Sequence, residues 1–322
     1  MQIVANEFVL PLKVGRSCHA SNLIVLPDGR IFTVYFCGSG EGHDDVRILG
    51  SMRESGVVAD WSEPTPITPD DGLPHWNPVL LPLDDGSVVL FYKVGKRIAS
   101  WQTYYCISRD GCHTWSKPTE LIPGDIGGRG PVRNKCIVLS DGAILAPGST
   151  ELDDWRVFFD ISVDNGKTWE RTADIVIPDQ CINHRGIIQP TAWEDERGVH
   201  ALLRSSENYI YRTDSTDLGR SWCVPYATSL PSNNSGIDLV QLPDGRLVLA
   251  YNPVCGNWGA RTPLSLAVSR DSGETWEHLT HLVTGRMSSG FSYPAIRYAN
   301  GMLHITYTWA RETIAYMCIA DV

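Results

Sequence analysis

A tryptophan recurs at an almost constant interval through most of the chain. The recurring positions are Trp61, Trp115, Trp169, Trp222 and Trp276, and the intervals between them are 54, 54, 53 and 54 residues. Four of these tryptophans end one shared pattern, as in Ser162-Val-Asp164-Asn-Gly166-Lys-Thr-Trp169. Such a period predicts that the chain folds as a series of similar small units.

A second marker runs in phase with the tryptophans. It is an apolar run that ends in a turn, and it occurs six times, at Asp28-Gly29, Asp85-Gly86, Asp141-Gly142, Gly198, Asp244-Gly245 and Asn300-Gly301. Between the turns lie short runs rich in Val, Ile, Leu, Tyr and Phe, which are typical of strands. Four short strands per repeat is the pattern of one blade of a β-propeller.

The sequence therefore predicts an all-β fold, a six-bladed β-propeller with four antiparallel strands per blade, and one domain over residues 1–322. The last repeat supplies three strands, so we expect the N-terminal segment 3–10 to be the fourth and to close the last blade. The tryptophan boxes are predicted to be structural. Their Ser and Asp can hydrogen-bond the turn, and their Trp can fill the gap between neighbouring sheets.

Charge and composition exclude several classes of function. With 27 basic and 37 acidic residues, the net charge of −10 argues against a general binder of nucleic acid or of anionic membranes. No apolar stretch has the length of a membrane span, and no signal-peptide pattern is visible, so a cytoplasmic location is expected. The nine cysteines are odd in number and form no CxxC pair, which favours reduced thiols and no metal site. No cofactor is predicted.

Propeller topology assigns the loops to two faces. The Asp-Gly turns and the tryptophan boxes share one face, which consists of tight turns. The opposite face carries long, chemically rich loops, such as segment 38–45 and segment 252–262. The first residues of the six inner strands converge there on the axis. Since loops on a rigid scaffold often carry function, we expect the functional site on this second face.

The box repeat resembles that of the sialidase (neuraminidase) superfamily, in which Asp-box repeats mark a six-bladed propeller. This resemblance implies a glycosidase in which arginines hold the substrate carboxylate and a tyrosine is the nucleophile. Arg204, in Leu-Arg-Ser, resembles the second family arginine, and Arg261, in GNWGARTP, resembles the third. Tyr293, in FSYPAIRY, resembles the nucleophile.

The sequence departs from the family at the first arginine. His19 stands in its place, and the glutamate that supports that arginine is replaced by Thr308 or Trp309. Both members of the pair are therefore missing together. His19 is predicted to have a catalytic or substrate-contacting role, with a hydrogen-bonded core histidine as the alternative.

The family acid/base is an aspartate in the loop before the third strand of blade one. Here that loop is segment 39–45, and Asp45 or Asp44 is predicted to serve, with Glu41 nearby. Like-charged neighbours are expected to raise the pKa of one of these carboxyls so that it can donate a proton. A solvated acidic loop or a cation site is the alternative. A neighbouring carboxylate, such as Glu41 or Glu207, is expected to activate Tyr293.

Further polar and aromatic residues lie near the ends of predicted inner strands. They are candidates for substrate contact, with a place in the core as the alternative: His75, Trp76, Asn77, Lys93, Arg133, Lys135 and Gln189.

Three functions remain open from the sequence. The first is an exo-acting glycoside hydrolase that removes a terminal acidic sugar, either sialic-acid-like or a uronic acid. The second is a uronate-directed lyase or a histidine-dependent glycosidase. The third is a non-catalytic carbohydrate-binding propeller. In each case the partner is a carbohydrate, and neither nucleic acid nor membrane is expected. The oligomeric state is left open.

Overall fold

The computed structural model describes residues 1–12, 16–56, 59–287 and 290–322. Within these ranges the chain forms six four-stranded antiparallel sheets in a propeller arrangement. The helical content is limited to two short 3-10 turns in the same ranges, Ile98–Ser100 and Asp179–Cys181. None of these described helices is long and apolar enough to cross a membrane. The predicted all-β, six-bladed fold is confirmed.

The strands follow the predicted repeat. In chain order they are β1 Gln2–Phe8, β2 Ser17–Val25, β3 Ile31–Gly38, β4 Arg47–Arg53, β5 Thr65–Pro66, β6 His75–Pro82, β7 Val88–Val94, β8 Gln102–Ser108, β9 Thr119–Glu120, β10 Ile137–Val138, β11 Ile144–Glu151, β12 Trp155–Ser162, β13 Glu170–Arg171, β14 Ile187–Asp195, β15 Gly198–Ser205, β16 Tyr209–Ser215, β17 Tyr226–Pro231, β18 Asp238–Gln241, β19 Leu247–Tyr251, β20 Leu264–Ser269, β21 Glu277–Val283, β22 Phe291–Ala299, β23 Met302–Trp309 and β24 Thr313–Ala320.

Blade six is completed by the N-terminal strand, as predicted. Its strand order is β1-β24-β23-β22, so the first strand of the chain lies at the outer edge. The antiparallel register places Gln2 opposite Ala320 and Phe8 opposite Ala315. The two ends of the described chain are therefore joined by one ladder of backbone hydrogen bonds.

The chain divides into two compact units. The first unit contains residues 1–126 and 293–322, and the second contains residues 127–292. Each unit has its own buried apolar clusters. One cluster in the first unit includes Tyr35 and Tyr316, and one in the second includes Phe159 and Leu203. The prediction of a single domain over residues 1–322 stays a prediction.

The tryptophan boxes are structural, as the sequence predicts. In the box that ends at Trp222, the Asp217 carboxylate accepts hydrogen bonds from the Ser215 hydroxyl at 2.7 Å and from the Ser221 N–H at 2.8 Å. The Trp222 indole N–H donates to the Gly219 carbonyl at 2.9 Å. Its ring stacks on Phe159 of the preceding blade, with 4.5 Å between ring centres. The box thus closes its own turn and fills the space between two sheets.

The cysteines depart from the expectation of reduced thiols. Cys18 and Cys37 form a disulfide, whereas the other seven cysteines are free. The physical reason is the antiparallel pairing of β2 with β3, which places these two residues directly opposite each other. A separation of 19 residues in the sequence does not reveal this register.

Candidate functional site

The start of each blade carries a residue in an unusual backbone conformation. A non-glycine residue with positive φ lies at or just before the first strand of every blade: Ala20 (52°), Asn77 (45°), Arg133 (69°), Gln189 (52°), Asn234 (56°) and Tyr293 (54°). This conformation costs about 1–2 kcal/mol per residue in an L-amino acid. In blades one, two and four the residue lies in a β-bulge of the inner strand. Such bulges can re-aim the side chains beside them.

In the first unit, Tyr293 lies against His19. Their ring centres are 4.1 Å apart and the rings are tilted by 46°. His19 is buried, and its Nδ1 shares a hydrogen bond of 2.8 Å with the hydroxyl of Thr308. Tyr293 is half-buried at the beginning of β22. His19 and Thr308 therefore contact each other, and Thr308 fixes the imidazole beside Tyr293, the nucleophile predicted from the sequence.

A row of aromatic rings continues from this pair within the first unit. His19 contacts Phe36, Phe36 contacts Trp76, and Trp76 contacts Trp101, with ring centres 5.4–5.5 Å apart at each step. Both indole N–H groups donate to the carbonyl of Gly95. Trp76 is therefore a buried, fixed side chain that supports the neighbourhood of His19.

Segment 39–45 has a different partner for each of its predicted acids. The carboxylate of Asp45 accepts hydrogen bonds from the Ser39 N–H at 2.9 Å and the Ser39 hydroxyl at 3.0 Å. Asp44 forms an ion pair with Lys96 at 2.8 Å, and Glu41 is paired with Arg311. Asp45 is thus held by neutral donors, whereas the other two acids contact cations.

The same segment passes close to the aromatic row. A β-carbon on Gly42 would lie 3.3 Å from the Trp76 indole, and φ at this glycine is +81°. The positive φ favours glycine here, and any larger residue would also press on the Trp76 ring. The acidic segment therefore packs against Trp76, which belongs to the same row of aromatic rings as His19.

Three other candidates of the first unit are buried. His75 shares a hydrogen bond of 2.6 Å with Thr68 through Nδ1, and burial lowers its pKa. The ammonium of Lys93 donates to the hydroxyl of Thr103 at 2.8 Å. Asn77 is buried as well, at the positive-φ position of blade two. The structure gives these residues contacts within the protein, and their contact with a substrate stays a prediction.

In the second unit, Arg204 is held by two of the strained residues. Its Nε donates to the Asn234 side-chain oxygen at 2.9 Å, and its Nη1 donates to the Gln189 side-chain oxygen at 3.0 Å. The guanidinium carbon lies 5.7 Å from the centre of the Trp155 ring and 5.8 Å from the centre of the Trp258 ring. Amide acceptors leave its positive charge intact, so the group is suited to bind an anion.

The three other predicted cations of the second unit have different contacts. Arg261 is half-buried, and its Nη1 donates to the hydroxyl of Ser292 at 3.3 Å. Lys135 is buried in an ion pair of 2.6 Å with Asp238, which is the geometry of a structural pair. Arg133 is almost fully buried at the positive-φ position of blade three. Arg204 and Arg261 therefore remain the better candidates for an anionic ligand.

A family model decides the broader assignment. The model of the BNR repeat-like domain matches residues 29–305. The chain belongs to the BNR repeat-like family. No curated protein sequence matches this BNR repeat-like protein at a significant level.

Solved structures share the fold of this BNR repeat-like protein at low sequence identity. A protein of unknown function from Dyadobacter fermentans is 17% identical, with a TM-score of 0.75 over 98% of each chain. The leech intramolecular trans-sialidase is 14% identical, with a TM-score of 0.74 over 98% of this chain and 70% of that one. The NanB sialidase of Streptococcus pneumoniae is 12% identical, with a TM-score of 0.73 over 99% and 70%. These likenesses establish the fold.

Glu207 has a role other than the one expected from the sequence. Its carboxylate accepts hydrogen bonds from the Ser206 hydroxyl at 2.7 Å and from the backbone N–H groups of Asn183 and His184 at 2.8 and 3.0 Å. Burial alone would raise its pKa, but these donors lower it. Glu207 in this BNR repeat-like protein therefore anchors the loop that leads into β14, within the second unit.

Two residues beside Arg204 were not predicted. Asn234 was missed because it follows Gln189 by 45 residues, whereas the other intervals between the positive-φ positions are 56 to 59 residues. Glu151 ends β11, and its Oε1 lies 3.5 Å from the side-chain nitrogen of Gln189. Asn234 belongs to the same series as the other five positions, so a repeat that allows unequal intervals would have indicated it. Only the fold brings Glu151 to Gln189.

Proposed function

We propose that this protein is a sialidase-like exo-glycoside hydrolase that removes a terminal acidic sugar. The observation that carries the proposal is the strained, half-buried Tyr293 at the head of β22, with an imidazole against its ring. Its membership of the BNR repeat-like family and its fold-level likeness to sialidases support the same class of reaction.

Each part of the chemistry has a candidate residue. The Tyr293 oxygen would attack the anomeric carbon while the glycosidic C–O bond breaks. The imidazole of His19 would take the phenol proton, and Asp45 would give its proton to the leaving oxygen. Water would then displace the tyrosine, with Asp45 taking a proton of that water and His19 returning the phenol proton to Tyr293. Retention of configuration follows from the two displacements. Arg204 and Arg261, both in the second unit, are proposed to bind a sugar carboxylate.

The test is turnover by the Tyr293→Phe variant. Purified protein is screened against aryl glycosides of sialic acid and of uronic acids, and release of the aryl alcohol is measured. The variant should lose activity by about 100-fold or more, as expected for removal of one catalytic group. Tyr298→Phe, on the same strand and also half-buried, is the matched control. Equal turnover by Tyr293→Phe and the wild type would refute the mechanism.

A second candidate function rests on the His19–Thr308 pair. An imidazole replaces a permanent cation at this place, and an imidazole can accept a proton near neutral pH. On a uronate, His19 or Tyr293 would remove the proton next to the carboxylate, and the glycosidic oxygen would leave with a proton from the other residue. The resulting carbon–carbon double bond absorbs ultraviolet light. The appearance of this absorbance without free saturated sugar would favour elimination over hydrolysis.

A protein that binds acidic sugars but cleaves none would support the third possibility, a carbohydrate-binding propeller. Binding is measured on the same panel by calorimetry, so the three outcomes are distinguished by one set of ligands.

A further inference from the structure

Glu151 is a carboxyl group linked to Arg204 through one intervening side chain. The Gln189 amide accepts a hydrogen bond from Arg204 Nη1 at 3.0 Å through its oxygen, and its nitrogen lies 3.5 Å from the Glu151 carboxylate. The three side chains come from the neighbouring strands β15, β14 and β11, all in the second unit. A carboxylate and a guanidinium therefore flank one amide.

The exposure of these groups differs. Arg204 and Gln189 are each 2% exposed, whereas Glu151 is partly exposed. Burial raises the pKa of Glu151, and Arg204 and Gln189 act in the opposite direction without cancelling the effect. The environment of Glu151 therefore favours its protonated form more than water does, and Glu151 is the member of the trio that solvent reaches most easily.

Two residues of the described chain act on the charge of Glu151. Arg204 is the charged group that acts on it, and Gln189 is its polar partner. Beyond Glu151, Asp153 and Asp154 are exposed, and Asp154 pairs with Arg156 at 3.8 Å. The negative charge of Glu151 is therefore partly offset by the positive charge of Arg204.

An anion that binds Arg204 would meet the negative charge of Glu151 nearby. Two like charges at such a place repel, and repulsion favours the protonated carboxyl. Protonation of Glu151 with a proton from solvent removes the repulsion and leaves a hydroxyl that can donate to the anion. By linkage, the affinity for the anion then rises as the pH falls.

We propose that Glu151 is a specificity-determining residue. Its negative charge repels an acidic sugar bound at Arg204, so such a sugar binds with uptake of one proton at Glu151. The inference rests on the proposed binding of an acidic sugar at Arg204. It also means that a neutral sugar binds with no such proton uptake, so that selection between acidic and neutral sugars depends on pH.

The test is calorimetric titration of N-acetylneuraminate and of glucuronate into the full chain. Wild type and Glu151→Gln are compared between about pH 5 and about pH 8, in two buffers of different ionisation enthalpy, which report proton uptake. In the wild type, affinity should fall by about tenfold across this range, the effect of one displaced proton equilibrium. Glu151→Gln should bind at all of these pH values with the affinity that the wild type has at the lowest, and without proton uptake.

Asp153→Asn removes one exposed acidic charge of the same turn and is the matched control, expected to behave as the wild type. An unchanged pH dependence in Glu151→Gln overturns the inference, and so does the absence of binding by both acids to both proteins. Turnover has no part in this measurement. A protein that binds these acids as described but cleaves no glycoside keeps the inference and loses the proposed hydrolase function.

Discussion

The imidazole of His19 lies against the phenol of Tyr293, with 4.1 Å between the ring centres, and it is held there by the hydroxyl of Thr308. An imidazole at this distance is positioned to influence the proton of the phenol. The Thr308 hydroxyl also accepts the backbone N–H of Ala20 at 3.3 Å, so one side chain fixes both the ring and the strained bulge that follows it.

Thr308→Val should lower turnover without unfolding the protein. The change removes the hydroxyl that orients His19 but keeps the shape of the side chain, so we expect a loss of about tenfold in kcat, the effect of one hydrogen bond to a functional group. The shape of the pH–rate profile should change with it, since the pKa of an imidazole depends on its hydrogen bonds.

The matched control is Thr306→Val, two residues earlier on β23. Thr306 is equally buried, and its hydroxyl has no hydrogen-bond partner among the residues that the structure describes. This variant should keep turnover and be at least as stable as the wild type. If both valine variants lose turnover to the same extent, Thr308 has no positioning role.

Asp45→Asn should reduce turnover much more than Asp44→Asn. Asp45 is held by the neutral donors of Ser39, whereas Asp44 is committed to Lys96. We expect a loss of about 100-fold for Asp45→Asn, in the range of a lost general acid. The effect should be largest for glycosides with poor leaving groups. Equal effects of the two substitutions on kcat/KM would contradict the assignment of Asp45.

The acid stability of the second unit should depend on Asp195. Burial alone would raise the pKa of Asp195, but hydrogen bonds from Ser272 and His200 lower it to about 2. The folded pKa lies below the unfolded value of about 3.9, so the ionised carboxylate stabilises the fold above that pH and this contribution is lost as the pH falls toward 2.

We expect the contribution of Asp195 to be about 1 kcal/mol after solvent screening. Denaturant unfolding at several pH values between about 2 and 5 measures it. Asp195→Asn should be less stable at neutral pH and should show a flatter decline in acid. Glu196→Gln, exposed in the same turn, should keep the decline of the wild type. If the stability of Asp195→Asn still falls steeply in acid, the loss of stability is due to other groups.

The tryptophan boxes should contribute stability rather than activity. Asp217→Ala removes the acceptor of the hydrogen bonds from Ser215 and Ser221 and should lower the free energy of unfolding by about 1–2 kcal/mol. Thr216→Ala, exposed in the same box, is the control and should be neutral. Denaturant unfolding checks the stability, and turnover at low temperature should be unchanged. A folded Asp217→Ala protein that has lost turnover would contradict the structural role.

The fold was predictable because its signal is repeated. Each box and each Asp-Gly turn adds an independent observation, so the period is visible although only four of the five tryptophans end the shared pattern. The disulfide between Cys18 and Cys37 was not predictable, because it depends on the register of β2 against β3.

The site was only partly predictable, and the reason is also physical. Positions such as Gln189 could be found because they occupy one place in every repeat. Glu151 could not, because its contact with Gln189 joins residues 38 positions apart on different blades. The sequence also offered Glu207, beside Glu41, as a carboxylate that could activate Tyr293, whereas the Glu207 carboxylate is engaged by backbone N–H groups.

The pairing of β1 with β24 has a consequence for biosynthesis. The second unit is continuous in sequence, so a ribosome has delivered all of its residues once residue 292 has emerged. The first unit is complete only when residues 293–322 have been synthesised, because Gln2 pairs with Ala320. Until then the N-terminal strand exposes an unpaired edge, the kind of surface on which nascent chains aggregate and chaperones act.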